Sequence, residues 1–203
     1  MWRLVPALAL AVTVFLAVPA MAADGAEGAG AEEASGAVNL FAFDLYKTLA
    51  SERENVFFSP YSVSSAMAML YAGASGDAER ELRGVMRYAD GIHESMGALN
   101  SAIADGAPAT VLVANAVWPD LTTELTPSYL RTVREHYGVD VTRLDFRTKW
   151  LTAEDAINKW VDEKTKGEIK SLFERNSLAP KGDLFTAIVL ANAVYFKSDW
   201  HKP

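Results

Sequence analysis

Hydrophobic positions along this chain alternate between a helical rhythm and unbroken apolar runs, and the switches predict its elements. Val38, Phe41, Ala42, Leu45 and Leu49 recur at spacings that put them on one face of a helix. Asn55 to Phe58 reads as a short strand. Ser59-Pro60 then opens a second helix. The serine side chain can accept from a free first-turn N–H, and proline is tolerated there because that turn has unpaired donors. Val63, Ala66, Met67, Ala68, Leu70 and Ala72 lie on every side of this helix, so it has no charged face and is predicted to be enclosed. Gly73 ends it.

A charged helix follows, with Leu82, Val85 and Met86 as its inward stripe, and then a weaker one over 92–104 with Met96, Leu99 and Ile103 in phase. Thr110 to Trp118 is almost continuously apolar, the pattern of a strand covered on both faces. Thr126-Pro127 starts a helix carrying Leu130, Val133 and Tyr137; Gly138 stops it, and Val139 to Phe146 alternates like a strand. Thr152-Ala-Glu-Asp155 has the form of a helix cap, with Ala153, Ala156, Ile157, Trp160 and Val161 turned inward behind it. Leu184 to Phe196 is a last long strand with one amide, Asn192, in its middle.

The first residues have a different character. Arg3, the apolar run from Leu4 to Val18 and the small-residue site Ala20-Met21-Ala22 form the pattern of an export signal. The run is short for a membrane span and contains Pro6 and Pro19. The expected layout is a signal peptide over 1–22, a flexible Ala/Gly/Glu tether over 23–36 and part of one folded domain over 37–203. A secreted or periplasmic location is expected, with no membrane association once the signal is removed.

Composition narrows the function. Half of the 203 residues are hydrophobic and 22% are charged, a globular balance. A net charge of -7 disfavours contact with phosphate backbones, so nucleic acid is not an expected partner. The absence of cysteine excludes disulfides, thiolate metal sites and a cysteine nucleophile. His93, His136 and His201 have no metal-ligand spacing, and no nucleophile elbow, phosphate loop or dinucleotide fingerprint is present. Glu79 and Glu81 fit a solvated helix face. No enzyme activity, cofactor or metal is expected.

Two polar features stand out. Asn192 sits in a strand that should be buried, and an unpaired buried amide costs roughly 1–3 kcal/mol, so it needs partners. Ser59 and Ser62 could supply hydroxyls; alternatively Ser59 only caps its helix and Asn192 meets backbone groups. Ala114-Asn-Ala-Val117 also reappears as Ala191-Asn-Ala-Val194, as expected of two neighbouring strands with similar surroundings.

Four segments resemble the serpin family. Asn55-Val-Phe-Phe-Ser-Pro-Tyr-Ser-Val63 is similar to the approach to the family's second helix. Tyr137-Gly-Val-Asp-Val-Thr-Arg-Leu-Asp-Phe146 resembles the stretch before its sixth helix. Asn158-Lys-Trp-Val161 with Thr165-Lys-Gly-Glu-Ile-Lys-Ser-Leu172 resembles that helix and its exit. Leu190-Ala-Asn-Ala-Val-Tyr-Phe-Lys-Ser-Asp-Trp200 is similar to the third strand of sheet A. Ala78 stands where the family usually has threonine, Ser198 where it usually has glycine, and Pro119-Asp120 interrupt a strand end.

The resemblance implies an α+β serpin-like fold: an N-terminal helical region, three strands of sheet A and one short strand of sheet B, as an incomplete domain. It implies inhibition of a serine protease, with cysteine proteases as the alternative, through cleavage of a reactive loop that then enters sheet A as a new strand. By the same resemblance Ser59, Ser62 and Asn192 belong to the shutter, where the sheet parts, and Lys197 and Trp200 to the breach, where the loop enters. The reactive site itself is expected beyond these residues, so the chain alone is expected not to inhibit and to self-associate. The stretch 91–106 contains no lysine or arginine, so no heparin-type activation is expected. The alternative is a non-inhibitory protein that binds by strand addition.

Overall fold

The computed structural model describes residues 25–50, 55–105 and 110–198. The expected signal over 1–22, and with it Trp200, lie outside the described residues. The elements in chain order are α1 (Gly25–Ala50), α2 (Pro60–Tyr71), α3 (Gly76–Met86), α4 (Ile92–Asp105), β1 (Thr110–Pro119), α5 (Pro127–Tyr137), β2 (Asp140–Val141), α6 (Trp150–Lys164) and β3 (Ile188–Lys197).

Among the described residues the three strands form one sheet in the order β2-β1-β3. β1 runs antiparallel to β3 from Thr110↔Lys197 to Pro119↔Ile188. It runs parallel to β2 through Ala116↔Asp140 and Val117↔Val141. Side chains alternate between the faces of a sheet, so parity sorts them. Val111, Val113 and Val117 of β1, with Ile188, Leu190 and Val194 of β3, join the core containing Ala68 and Met69 of α2. Ala116 and Trp118, with Val189 and Ala191, join a second core around Phe146, Ile157 and Leu178. Two cores on two faces explain why β1 reads as one apolar run.

α2 begins as expected: Ser59 Oγ accepts the Ser62 N–H at 3.2 Å, and Pro60 occupies the first turn. It is less enclosed than its composition suggests, since Leu70 is exposed. α5 is capped by Thr126, whose hydroxyl accepts the Tyr129 N–H at 3.2 Å, and closed by Gly138 in the left-handed conformation at φ 60°. Residues other than glycine adopt that conformation at a cost.

Several expectations are corrected. The tether predicted over 23–36 is helical from Gly25, because alanine and glutamate favour helix and this turn finds a partner in α4. Ala34 is fully buried, Glu33 accepts a hydrogen bond from the Ser95 hydroxyl at 3.0 Å, and a Cβ added at Gly30 would stand 3.6 Å from Ser95 Cα. Asn55 to Phe58 has extended backbone but no strand partner among the described residues. Val85 points outward; Met86 and, beyond the left-handed Arg87, Tyr88 fill the core instead.

α6 starts at Trp150, two residues before the expected cap. The turn before it is held by Asp145, whose carboxylate accepts the Arg147 and Thr148 N–H groups at 3.1 and 2.7 Å. Glu154, assigned to that cap by the sequence, is buried and accepts the N–H groups of Asn176 and Leu178 at 3.0 and 2.8 Å; Ala156, expected inward, is exposed. The strand expected over 139–146 shrinks to β2. Past it the buried Asp120 carboxylate takes the Phe146 N–H at 3.0 Å, and the Arg143 guanidinium donates to the Leu121 and Thr123 carbonyls. Pro119 does not break β1: its carbonyl accepts from Leu144 at 3.0 Å, and the Asp120 N–H continues the ladder to Ala187 at 2.8 Å. No helix among the described residues is long and apolar enough to cross a membrane.

Candidate functional site

The repeated Ala-Asn-Ala-Val segments lie on the adjacent strands β1 and β3, in opposite directions, with Asn115 directly across from Asn192. Their shared parity turns both amides to the α2 face. Asn192 Nδ2 donates to Asn115 Oδ1 at 2.8 Å. The Ser65 hydroxyl on α2 donates to the same oxygen at 3.5 Å, the long end of the range. Asn115 Nδ2 donates to the Tyr137 carbonyl at the end of α5, at 3.0 Å. One amide therefore ties the middle of β1 to β3, α2 and α5.

This differs from the arrangement expected of Ser59, Ser62 and Asn192. All three sit on this side of the sheet or at the head of α2, but the amide bonds to Asn115, and Ser65 supplies the hydroxyl that joins the pair. Ser59 is fully buried and acts as a cap. Ser62 lies a turn before Ser65, and its hydroxyl, with those of Ser64 and the Asn192 Oδ1, is buried without a hydrogen-bond partner among the described residues. Asn115 was visible in the sequence only through the four-residue echo.

Around this centre the polar groups are paired. Tyr88 donates to the Ser64 carbonyl at 2.6 Å, and Tyr61 donates to Asn100, whose amide holds the His136 carbonyl at 3.0 Å. Burial pushes the Tyr61, Tyr88 and Tyr137 hydroxyls well above the ordinary tyrosine value, so they remain protonated donors. On the opposite face Trp160 of α6 meets Trp118 of β1 edge to face at 5.2 Å. Lys197 is exposed at the far end of β3. Two residues before it, on the same face, Tyr195 carries the Lys166 ammonium 4.7 Å above its ring. Among the described residues no group of histidine and carboxylate side chains is placed to hold a metal ion.

Residues 36–203 match the family model described as Serpin (serine protease inhibitor). The chain belongs to the serpin family. It is 37% identical to a serpin-like protein of Thermococcus kodakarensis over 81% of this chain and 38% of that one. It is 35% identical to leukocyte elastase inhibitor A of Mus musculus over 84% of this chain and 45% of that one. The ovalbumin of emu (Dromaius novaehollandiae) superposes with a TM-score of 0.72 at 27% identity, over 88% of this chain and 48% of that one. This serpin chain thus spans less than half the length of these relatives, and its α+β architecture is that of an incomplete serpin domain.

Proposed function

We propose that this chain is the strand-accepting part of a serine-type endopeptidase inhibitor, in which a cleaved reactive loop inserts as a new strand beside β3. The observation that carries the reading is the hydroxyl–amide cluster at the centre of the β1–β3 pair, in which Asn192 Nδ2 and the Ser65 hydroxyl of α2 both donate to Asn115 Oδ1. A hydroxyl–amide cluster of this kind can exchange partners when strands separate, whereas an apolar contact leaves nothing to receive an incoming backbone. In this reading Ser59, Ser62 and Asn192, extended by Asn115 and Ser65, form the shutter, and Lys197 with Trp200 the breach. Catalytic groups belong to the protease, and the chain is not an enzyme. The elastase inhibitors among its relatives make an elastase-like serine protease the first partner to try, and a cysteine protease the second.

The reactive site lies outside these residues, so inhibition requires a fuller serpin domain and the 203 residues alone do not trap a protease. The N-terminal pattern supports export. α4 carries no lysine or arginine, so activation by a sulfated polysaccharide forms no part of the proposal. The test mixes elastase with the full-length gene product and with the 203-residue chain, then looks for a protease complex that survives boiling in detergent. The full-length product is expected to form one and the short chain none. A full-length product that is merely cleaved by every serine and cysteine protease tried would defeat the inhibitory reading.

A second reading, binding by strand addition without inhibition, draws on the position of β3 at the end of the described strand order and on the exposed Phe196 near its tip. Under it the short chain recruits strands, including those of its own copies. Size-exclusion chromatography showing a clean monomer, unaltered by an added extended peptide, would dismiss it.

A further inference from the structure

The hydrogen bonds that leave Asn115 do not stop at α5. Tyr137, whose carbonyl receives the Asn115 amide, places its own hydroxyl 2.8 Å from His93 Nδ1 at the start of α4. Tyr137 is buried, while His93 is half-buried. The imidazole packs against Tyr71 at 5.6 Å and edge-on to Tyr137 at 5.9 Å. His93 also lines an open cavity of about 410 Å³ shared with Tyr71, Glu79, Arg83 and Asp90. One ring thus touches both the solvent and the buried chain His93–Tyr137–Asn115–Asn192.

We propose that His93 is a proton-operated latch on this sheet. With a neutral ring, Nδ1 accepts the Tyr137 O–H and holds the end of α5, and β2 beyond it, against β1. A proton from solvent on Nδ1 turns that atom into a donor. The Tyr137 oxygen must then accept from Nδ1–H, and its own hydrogen turns away from the only acceptor it has among the described residues, inside a buried site. The added charge and the unpaired hydroxyl hydrogen fall on the residue whose carbonyl anchors Asn115, so protonation loosens the centre of the β1–β3 pair. The latch rests on this geometry and operates whatever the sheet is used for.

The charged surroundings decide which state prevails. Burial lowers the His93 pKa; Glu94 on its own helix opposes this, and His136 on α5 adds to it, with a net shift below the ordinary value. From the cavity side Arg83 is engaged with Asp90 at 2.5 Å, and Glu79 lies on the same wall. A folded-state pKa below the unfolded one means that neutral His93 contributes its full stabilisation above pH 6.5, and that this is lost as pH falls from 6.5 through the folded value.

Hydrogen exchange on the 203-residue chain, followed by mass spectrometry at several pH values from 7.5 to 5 and corrected for intrinsic rates, tests the latch. Protection in peptides covering Asn115–Val117 and Ala191–Val194 is expected to fall several-fold on acidification. In His93→Gln, whose side-chain carbonyl still accepts the Tyr137 hydroxyl but does not titrate, it should stay level. Tyr137→Phe provides a second arm, with protection at Asn115 reduced at neutral pH and insensitive to acid. An equal acid response in His93→Gln and the parent, or an acid response confined to the first turn of α4, would overturn the proposal.

Discussion

Replacing Asn115 by leucine separates a hub from a spoke. The two side chains have the same number of heavy atoms and leucine is the bulkier, so no cavity is opened. The substitution strands three groups: the Tyr137 carbonyl, which loses a 3.0 Å donor, Asn192 Nδ2, which loses a 2.8 Å acceptor, and the Ser65 hydroxyl, which loses a long and weak contact at 3.5 Å. Asn192 Oδ1 has no partner among the described residues even in the parent, so the whole Asn192 amide is left unsatisfied. A stranded buried polar group costs about 1–3 kcal/mol. Asn192 is only half-buried, and the low end of that range applies to it, giving about 3 kcal/mol for Asn115→Leu. Asn192→Leu strands much less. Asn115 Oδ1 keeps Ser65, its Nδ2 keeps Tyr137, and an already unpaired oxygen is removed, so the cost is about 1 kcal/mol or less. The double substitution removes the stranded Asn192 amide altogether, and replacing both partners of a hydrogen bond is far milder than replacing one. It should therefore be more stable than Asn115→Leu alone, a coupling of opposite sign to simple addition. Urea denaturation followed by tryptophan fluorescence would give all four stabilities. If Asn192→Leu proved as costly as Asn115→Leu, or the double variant less stable than Asn115→Leu, Asn115 would not be the hub.

Two further outcomes follow from the same structure. Burial alone would raise the Asp120 pKa, but hydrogen bonds from the Thr122 hydroxyl and the Thr122 and Phe146 N–H groups outweigh it and hold the group below its ordinary 3.8; its stabilisation is thus present above that pH and lost as pH falls through the folded value, so acid denaturation below pH 4 should be shallower in Asp120→Asn, and matching acid limbs would count against the assignment. Trp160→Ala removes the edge-to-face contact with Trp118 and a half-buried ring; a loss of about 2 kcal/mol in thermal or urea unfolding is expected, half the cost of truncating a fully buried aromatic, and a loss below 0.5 kcal/mol would mean that α6 is not held to the sheet through this pair.

What could be read in the sequence, and what could not, divides by the range of the interaction responsible. Helix starts set by a cap and a proline, as at Ser59-Pro60 and Thr126-Pro127, and the stop at Gly138 depend on neighbours within a turn, and the structure has them where the residues put them. The apolar run of β1 likewise announces two covered faces. The helix over Gly25–Gly36 was hidden because its alanines and glycines look like a linker until α4 supplies the surface on which Ala34 is buried. The start of α6 was displaced because Thr152-Ala-Glu-Asp155 matches a cap in isolation, whereas Glu154 is claimed by the backbone of a loop more than twenty residues away. The same reasoning separates Asn192 from Asn115. An amide in an apolar strand tells a reader that a partner must exist, but the identity of that partner depends on strand register, which one chain segment cannot encode alone. The echo of Ala-Asn-Ala-Val held that register in compressed form. Read antiparallel, with the asparagines opposed, it would have predicted an amide pair in place of a serine contact, because two strands that meet with equal surroundings place equal residues across from one another.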